Sequence, residues 1–397
     1  MFGIHASVMK IIVEIRASYW FIPTTLVIGA IVLAILMRWI DATPGVLPVT
    51  LPTALQNATP EGARATLSVI AQSILGVAGV LFSVTMVAVS FASGQFGPRL
   101  IGNFMRDRGT QWSLGILIST FVYALLILRA TEGGDVPFLP QLSMLMALGL
   151  TFLAVLTMIY FVHHIPETIN VSNITADLGS RLRHAVRVEI DGQIAIAAGP
   201  KWAAVKPASA HVTLGQPGYI QQLDLDRLAT LAEDHDWRLD IHVRPSDFVT
   251  TETAIMDVYG HVSPDDLMRL RQPFAIGPVR SEAQDIVFLI DQLVEMIARA
   301  LSPGTNDPFT AINCLNWLAV GLTEAATYND GLRPVQRARL RYADIGFADL
   351  VDRALGQSWP YASTDDLAAA HWRHVLRDLA DHTTGDNRAV LDPFLER

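Results

Sequence analysis

Cysteine is almost missing from this chain: Cys314 is the single one in 397 residues. That excludes a disulfide framework and any cysteine-rich metal site. Charge is missing from a long first stretch. Residues 1–165 hold 14 of the 67 Asp, Glu, Lys and Arg residues, and residues 166–397 hold the other 53. With a hydrophobic content of 51% and a mean hydropathy of +0.34, this division excludes a simple soluble enzyme. It excludes disorder as well, which needs low hydrophobicity. An excess of basic groups is also missing. The first 165 residues carry a net +2 and the remainder −11, within a total of −9, so general nucleic-acid binding is not expected. No P-loop, dinucleotide fingerprint, zinc-protease helix, nucleophile elbow or kinase set occurs, and there is no internal repeat. Enzymatic activity, a cofactor and a metal centre are therefore not expected.

What is present is a set of long apolar runs. Four are long enough to cross a bilayer, which takes about 20 mostly apolar residues. They lie at Tyr19–Met37, within Ala65–Pro98, at Thr110–Leu128 and at Val136–Val162. Unpaired backbone polar groups are not tolerated in lipid, so each is expected to be a helix. The first is read as a retained helix, because no small-residue cleavage site follows it and three more spans do. Lys10, Arg16, Arg99, Arg106, Arg108, Arg181, Arg183 and Arg187 fall on one side of a four-pass arrangement, and Arg38, Arg64 and Arg129 on the other. That bias places both termini in the cytoplasm.

The second span carries the most information. Ser68, Gln72, Gly76, Gly79, Ser83, Ser90 and Gly94 recur at helical spacing and share one face, while Leu75, Val77, Val80, Leu81, Phe82, Val84, Val87 and Phe91 occupy the others. Two readings stand. Small residues let helices approach closely. Alternatively, hydroxyls, an amide and bare backbone line a pore. Arg99, Arg106 and Arg108 follow the span, either as lipid-headgroup anchors or as a ring at a cytoplasmic pore mouth that favours anions. No Asp, Glu, Lys or Arg lies inside a span, which argues against a proton-coupled pump. His163-His164-x-x-Glu167 resembles a metal motif, but adjacent histidines point apart on a helix. They are read as interfacial, with Pro166 ending the helix.

Beyond the spans the expected architecture is α+β. Residues 1–165 form a four-helix transmembrane domain, 166–185 a helical connector, 186–260 a small cytoplasmic β-domain and 261–397 a helical domain. Strands are expected at Val186–Ile190, Ile194–Ala198, Gly218–Leu223, Trp237–Val243 and Ala254–Tyr259, with a helix over Asp224–Asp236. The strand–turn pattern resembles half of a barrel-sandwich hybrid, so a small barrel-like part is expected. Lys201 and Lys206 lack the context of a swinging-arm lysine. A capping box at Ser281-x-x-Gln284 opens a helix, on which Asp285, Asp291 and Glu295 offer oxygen ligands for a divalent ion but, not sharing one face cleanly, are read as a solvated side. Ser302 to Asp307 makes a tight reversal, with Asp307 as N-cap and Pro308 as first helical residue. Ser302, Asn306 and Asp307 are candidate ligand contacts if the loop does more than turn the chain. Further helices are expected at 333–355 and 364–381. Arg333, Arg337, Arg339 and Arg341 form a basic patch. Cys314 is read as a small buried hydrophobe.

Two segments, Ser83–Arg99 and Ala300–Ala311, together with the Arg-Pro-Ser-Asp-Phe-Val turn at Arg244–Val249, closely resemble signatures of a bacterial family described as a predicted membrane protein, domain of unknown function 2254. The resemblance spans nearly the whole chain; Gly97, Ser246 and Thr305 depart from the common pattern. It implies a bacterial cytoplasmic (inner) membrane location and confers no activity. From the residues, the leading expectation is a homo-oligomeric channel. The second span lines its axis, the cytoplasmic part forms a vestibule, and its partners are the lipid bilayer, further copies of itself and small ions. The alternative is a membrane-anchored scaffold or sensor that binds a ligand or protein through its cytoplasmic part.

Overall fold

The computed structural model describes residues 18–43, 59–97, 107–132, 140–195, 207–282, 284–332 and 337–397. The chain forms two compact units, divided between Asn170 and Val171.

Among the described residues, the first unit holds four helices, α1 (Phe21–Ala42), α2 (Pro60–Phe96), α3 (Arg108–Glu132) and α4 (Gln141–Thr168). All four are long and apolar enough to cross a membrane. α3 packs against each of the other three. Close approach comes from small residues: a Cβ on Gly115 would stand 2.7 Å from Leu26 of α1. Hydroxyls inside α3 find acceptors along the helix or on α4, where Tyr123 donates to the Ser143 carbonyl at 3.1 Å. The Ser113 hydroxyl donates to the Gly109 carbonyl, and Thr120 to that of Ile116. Polar contacts hold both ends of the unit. The backbone N–H groups of Leu142 and Ser143 donate to Asp41 at 3.0 and 2.9 Å, so a residue of α1 caps α4. At the other end Asp107 accepts from the Thr110 N–H at 2.7 Å and pairs with His164 at 2.9 Å. His163 makes an exposed contact with Glu167. Pro166 does not end α4, which runs on to Thr168.

The second unit begins with α5 (Val171–Ala195). The strand expected at 186–190 is helix. Val186 and Ile190 continue the buried series of Leu178 and Leu182, and over that longer window the helical period prevails over local β-branching. Of the strand expected at 194–198, Ile194 and Ala195 close this helix, and residues 196–198 lie outside the described residues. Then follow β1 (Ala210–Thr213), β2 (Gly218–Leu223), α6 (Leu225–Asp234), β3 (Arg238–Ile241), β4 (Phe248–Val249), β5 (Ala254–Tyr259), α7 (Pro264–Arg271) and β6 (Phe274–Gly277). Next come α8 (Ile286–Ala300), α9 (Pro308–Thr327), β7 (Leu340–Tyr342) and α10 (Phe347–Val351). A π-helical turn, Asp352–Gly356, joins α10 to α11 (Gln357–Ala362), and α12 (Asp366–His382) and α13 (Gly385–Leu395) complete the unit.

No barrel forms. The strands make two open sheets, one ordered β1-β5-β3-β7 and one ordered β4-β2-β6. This corrects the barrel-like expectation, and the physical reason is connectivity. β2 leaves the sheet of β1. β6 and β7 arrive from the part expected to be helical, β7 parallel to β3, and neither sheet's edges meet. The alternation that marks a strand carries no information about its partner. The larger sheet buries Val212, Leu239, Ile241, Met256, Val258 and Leu340 with Leu228 and Leu231 of α6 in one core. The helical part packs α5, α8, α9 and α12 together. Gly179 lies against Trp317 and Gly321 against Leu182, where an added Cβ would come within 2.3 and 2.4 Å.

Candidate functional site

α2 is 37 residues long, about 56 Å of helix. Thr59 opens it by accepting from the Gly62 N–H at 3.1 Å, with Pro60 in the first turn. Its packing face is Ala63, Leu67, Ile70, Ala71, Ile74, Ala78, Leu81, Thr85, Ala88 and Ala92, all buried. At about 100° per residue the polar and small stripe lies opposite that face. Gln72, Gly76, Gly79, Ser83, Ser90 and Gly94 are exposed, and Ser68 is half-buried. The stripe therefore does not pack on the protomer's own helices. A Cβ on Gly76, Gly79 or Gly94 would meet nothing within 4 Å. Among the described residues, Gly76 and Gly79 are not needed to let another helix approach. Gly76, Gly79 and Ser83 form a shallow groove flanked by Val80, Val84 and Val87. Gln72 donates to the Ser68 hydroxyl at 2.9 Å and Ser83 to the Gly79 carbonyl at 3.0 Å, so these groups are satisfied along the helix in an apolar surround. From Ser68 to Gly94 the stripe extends about 39 Å, longer than a hydrocarbon core of about 30 Å. Of the expected mouth residues, Arg108 is exposed in the first turn of α3, and Arg99 and Arg106 lie outside the described residues.

The Ser302–Asp307 loop uses its polar groups on itself. Ser302 donates to the Arg299 carbonyl at 2.7 Å, and Asp307 accepts from the Thr310 N–H at 3.1 Å as the N-cap of α9. Asn306 holds a left-handed backbone, φ 47°. Turn chemistry accounts for all three residues. The basic patch is also engaged. Arg337 makes two bonds to Asp344, at 3.0 and 3.1 Å; Arg339 meets Asp236 at 2.7 Å, and Arg341 meets Asp240. Arg333 lies outside the described residues.

The carboxylates of α8 are not a solvated side. Asp285 and Asp291 are buried. The helix starts at Ile286, two residues after Gln284, with Asp285 as its N-cap, because Gln284 takes a left-handed φ of 60° and its side chain accepts from the Leu223 N–H at 2.9 Å. Asp291 receives Arg280 and Arg353 together, while Arg280 also reaches Asp285 at 3.0 Å and the Ser246 hydroxyl at 2.8 Å. Burial by itself would raise Asp291, but the bonds from Arg353 and Arg280 outweigh it and hold the carboxyl below its ordinary value. Burial raises Asp285. Ser246, at φ 81°, belongs to the Arg-Pro-Ser-Asp-Phe-Val turn, so one of the signature segments ends on this buried ion network. Beside it lies a polar cavity of about 150 Å³ lined by Glu189, Arg244, Gln284, Arg337, Tyr342 and Asp344. Burial raises the Glu189 carboxyl. The sequence reading missed this cavity because its walls come from five separate stretches of chain.

The model of the family described as "Predicted membrane protein (DUF2254)" matches residues 16–378, and the chain belongs to that family. The uncharacterized protein Rv1290c of Mycobacterium tuberculosis strain H37Rv is 28% identical over 398 residues, covering 95% of this chain and 74% of that protein. The uncharacterized protein Mb1321c of Mycobacterium bovis matches to the same extent. No solved structure matches. With its four apolar helices, the chain is a multi-pass bacterial membrane protein.

Proposed function

We propose that several copies of this chain assemble in the bacterial cytoplasmic membrane into a passive ion pathway, with α2 of each copy lining the axis. The observation that carries this reading is the direction of the stripe. Six small or polar residues, from Gln72 to Gly94 over about 33 Å of a membrane helix, turn away from their own protomer. Glycine inside a helix costs roughly 0.5–1 kcal/mol relative to alanine, so Gly76 and Gly79, where an added Cβ would meet nothing within 4 Å, favour a use between copies. Four helices in one protomer rarely enclose water, so the pathway requires assembly. Arg108, with Arg99 and Arg106, biases the mouth toward anions, and the Lys/Arg distribution places both termini and the second unit in the cytoplasm.

Imaging of purified particles together with flux measurements in liposomes tests the reading. A symmetric particle with α2 around an axial opening supports it; a monomer whose stripe touches acyl chains ends it. In folded protein, Ser83→Leu and Ser90→Leu should each cut conductance severalfold. Unchanged flux would mean that the stripe serves packing alone. Arg108→Glu should move the reversal potential toward cation preference.

A further inference from the structure

The geometry points to a binding site for a first-row divalent transition-metal ion on the outer face of the larger sheet, built from Asp240, His242 and Asp257. The argument starts from strand register. Asp240 of β3 stands directly opposite Asp257 of β5, and His211 of β1 stands opposite Asp257 on its other side. Arg341 of β7 stands opposite Asp240. Alternation puts all four on one face, while Leu239, Ile241, Met256 and Val258 turn to the core. His242, two residues after Asp240, joins the same face.

Two carboxylates facing each other across neighbouring strands repel, which destabilises a sheet. Asp240 is buried besides, which raises the cost of leaving the pair uncompensated. Arg341 offsets the charge of Asp240, while Asp257 has hydrogen bonds from His211 and His242 and no Lys or Arg opposite it in the register. A divalent cation between them would offset the rest. The ligand atoms of Asp240, His242 and Asp257 already lie within 4.8 Å of one another. Metal–ligand bonds of about 2.1 Å require atoms roughly 3–4 Å apart, so small side-chain rotations suffice. His242 already meets Asp257 through Nε2 at 3.2 Å, and its 39% exposure leaves solvent access for the ion.

Each carboxylate also has an outer partner that holds it in place. The His211 imidazole meets Asp257 at 2.6 Å, and the Arg341 guanidinium grips Asp240. A carboxylate has about four lone-pair directions, so both can accept these bonds and still face an ion. Such hydrogen-bonded outer shells are the usual support of metal ligands. One imidazole with two carboxylates favours Zn²⁺, Fe²⁺, Mn²⁺ or Co²⁺ over Mg²⁺ or Ca²⁺, which prefer oxygen alone. The sequence reading weighed only adjacent histidines and the α8 carboxylates for metal binding. These ligands come from two strands and are recognisable only once the register is known.

Co²⁺ titrated into the full-length protein in detergent is the test. The expected result is one saturable equivalent with visible d–d absorption, displaced by Zn²⁺ but not by a large excess of Mg²⁺. Asp257→Asn should weaken binding by at least about 100-fold and His211→Gln by about 10-fold. His371→Gln, on an unrelated helix, should leave it unchanged. His242→Cys adds a readout of direct ligation, a thiolate-to-cobalt charge-transfer band in the near ultraviolet. Absence of saturable Co²⁺ uptake, uptake that survives Asp257→Asn, or a folded His242→Cys protein that binds Co²⁺ without that band would each overturn the assignment.

Discussion

Asp291 shows how far a single side chain can depart from its sequence reading. On a helical wheel it decorates the polar side of α8, yet it is buried between Arg280 and Arg353. Arg353 lies 62 residues away, and spacing along the chain gives no sign of that partnership. Removing one partner of a buried pair leaves the others uncompensated. Asp291→Asn should therefore cost about 3 kcal/mol, read as a lower melting temperature in detergent. The pH dependence has a definite sign. A carboxyl held below its ordinary value in the folded chain stabilises fully above the ordinary value, and that contribution is lost as pH falls through the folded value. Between about pH 5 and pH 3 the parent should lose more thermal stability than Asp291→Asn. An equal loss in both would mean that the network does not titrate as described. The Asp107–His164 contact was equally hidden, because 57 residues separate the two. Cys314, by contrast, was legible, and it is buried in α9 as a small apolar residue would be.

At the level of single elements, the spans were readable because charge-free runs of that length have few alternatives in lipid. Three strands were readable for a similar reason, since alternation at Gly218–Leu223, 237–243 and 254–259 permits little else. β7 was not: three residues, Leu-Arg-Tyr, are too few to show a period. Helix contacts separate two kinds of glycine. Gly179 supports α5 against Trp317, so Gly179→Ala should overpack that contact and cost about 1–3 kcal/mol. Gly76→Ala should leave the protomer unharmed, because nothing stands near the added methyl. Thermal melts of the two variants side by side check the contrast, and a destabilised Gly76→Ala monomer would contradict it. The cap of α4 belongs to the same scale. Asp41→Ala removes the acceptor of two backbone N–H groups and should cost about 0.5–2 kcal/mol.

On the scale of the whole molecule, the division between Asn170 and Val171 separates two kinds of surface. Ile28, Val32, Ile35, Val80, Val87, Phe152 and Ile159 are exposed in the first unit, as lipid-facing residues are. In the second unit, α8 buries its apolar residues and the larger sheet has a core of its own. A fragment of residues 171–397 should therefore stay soluble without detergent and melt cooperatively. Pelleting on ultracentrifugation would count against its independence. Asp41 links the molecule in another way. Its partners Leu142 and Ser143 come 101 and 102 residues later. A ribosome releases the carboxylate long before it releases the amides, so the nascent chain holds α1 with its clasp open while α2 and α3 are threaded. Closing that clasp is reserved for the arrival of α4, and a chain stalled before it would present the quality-control machinery with a bundle left unlatched.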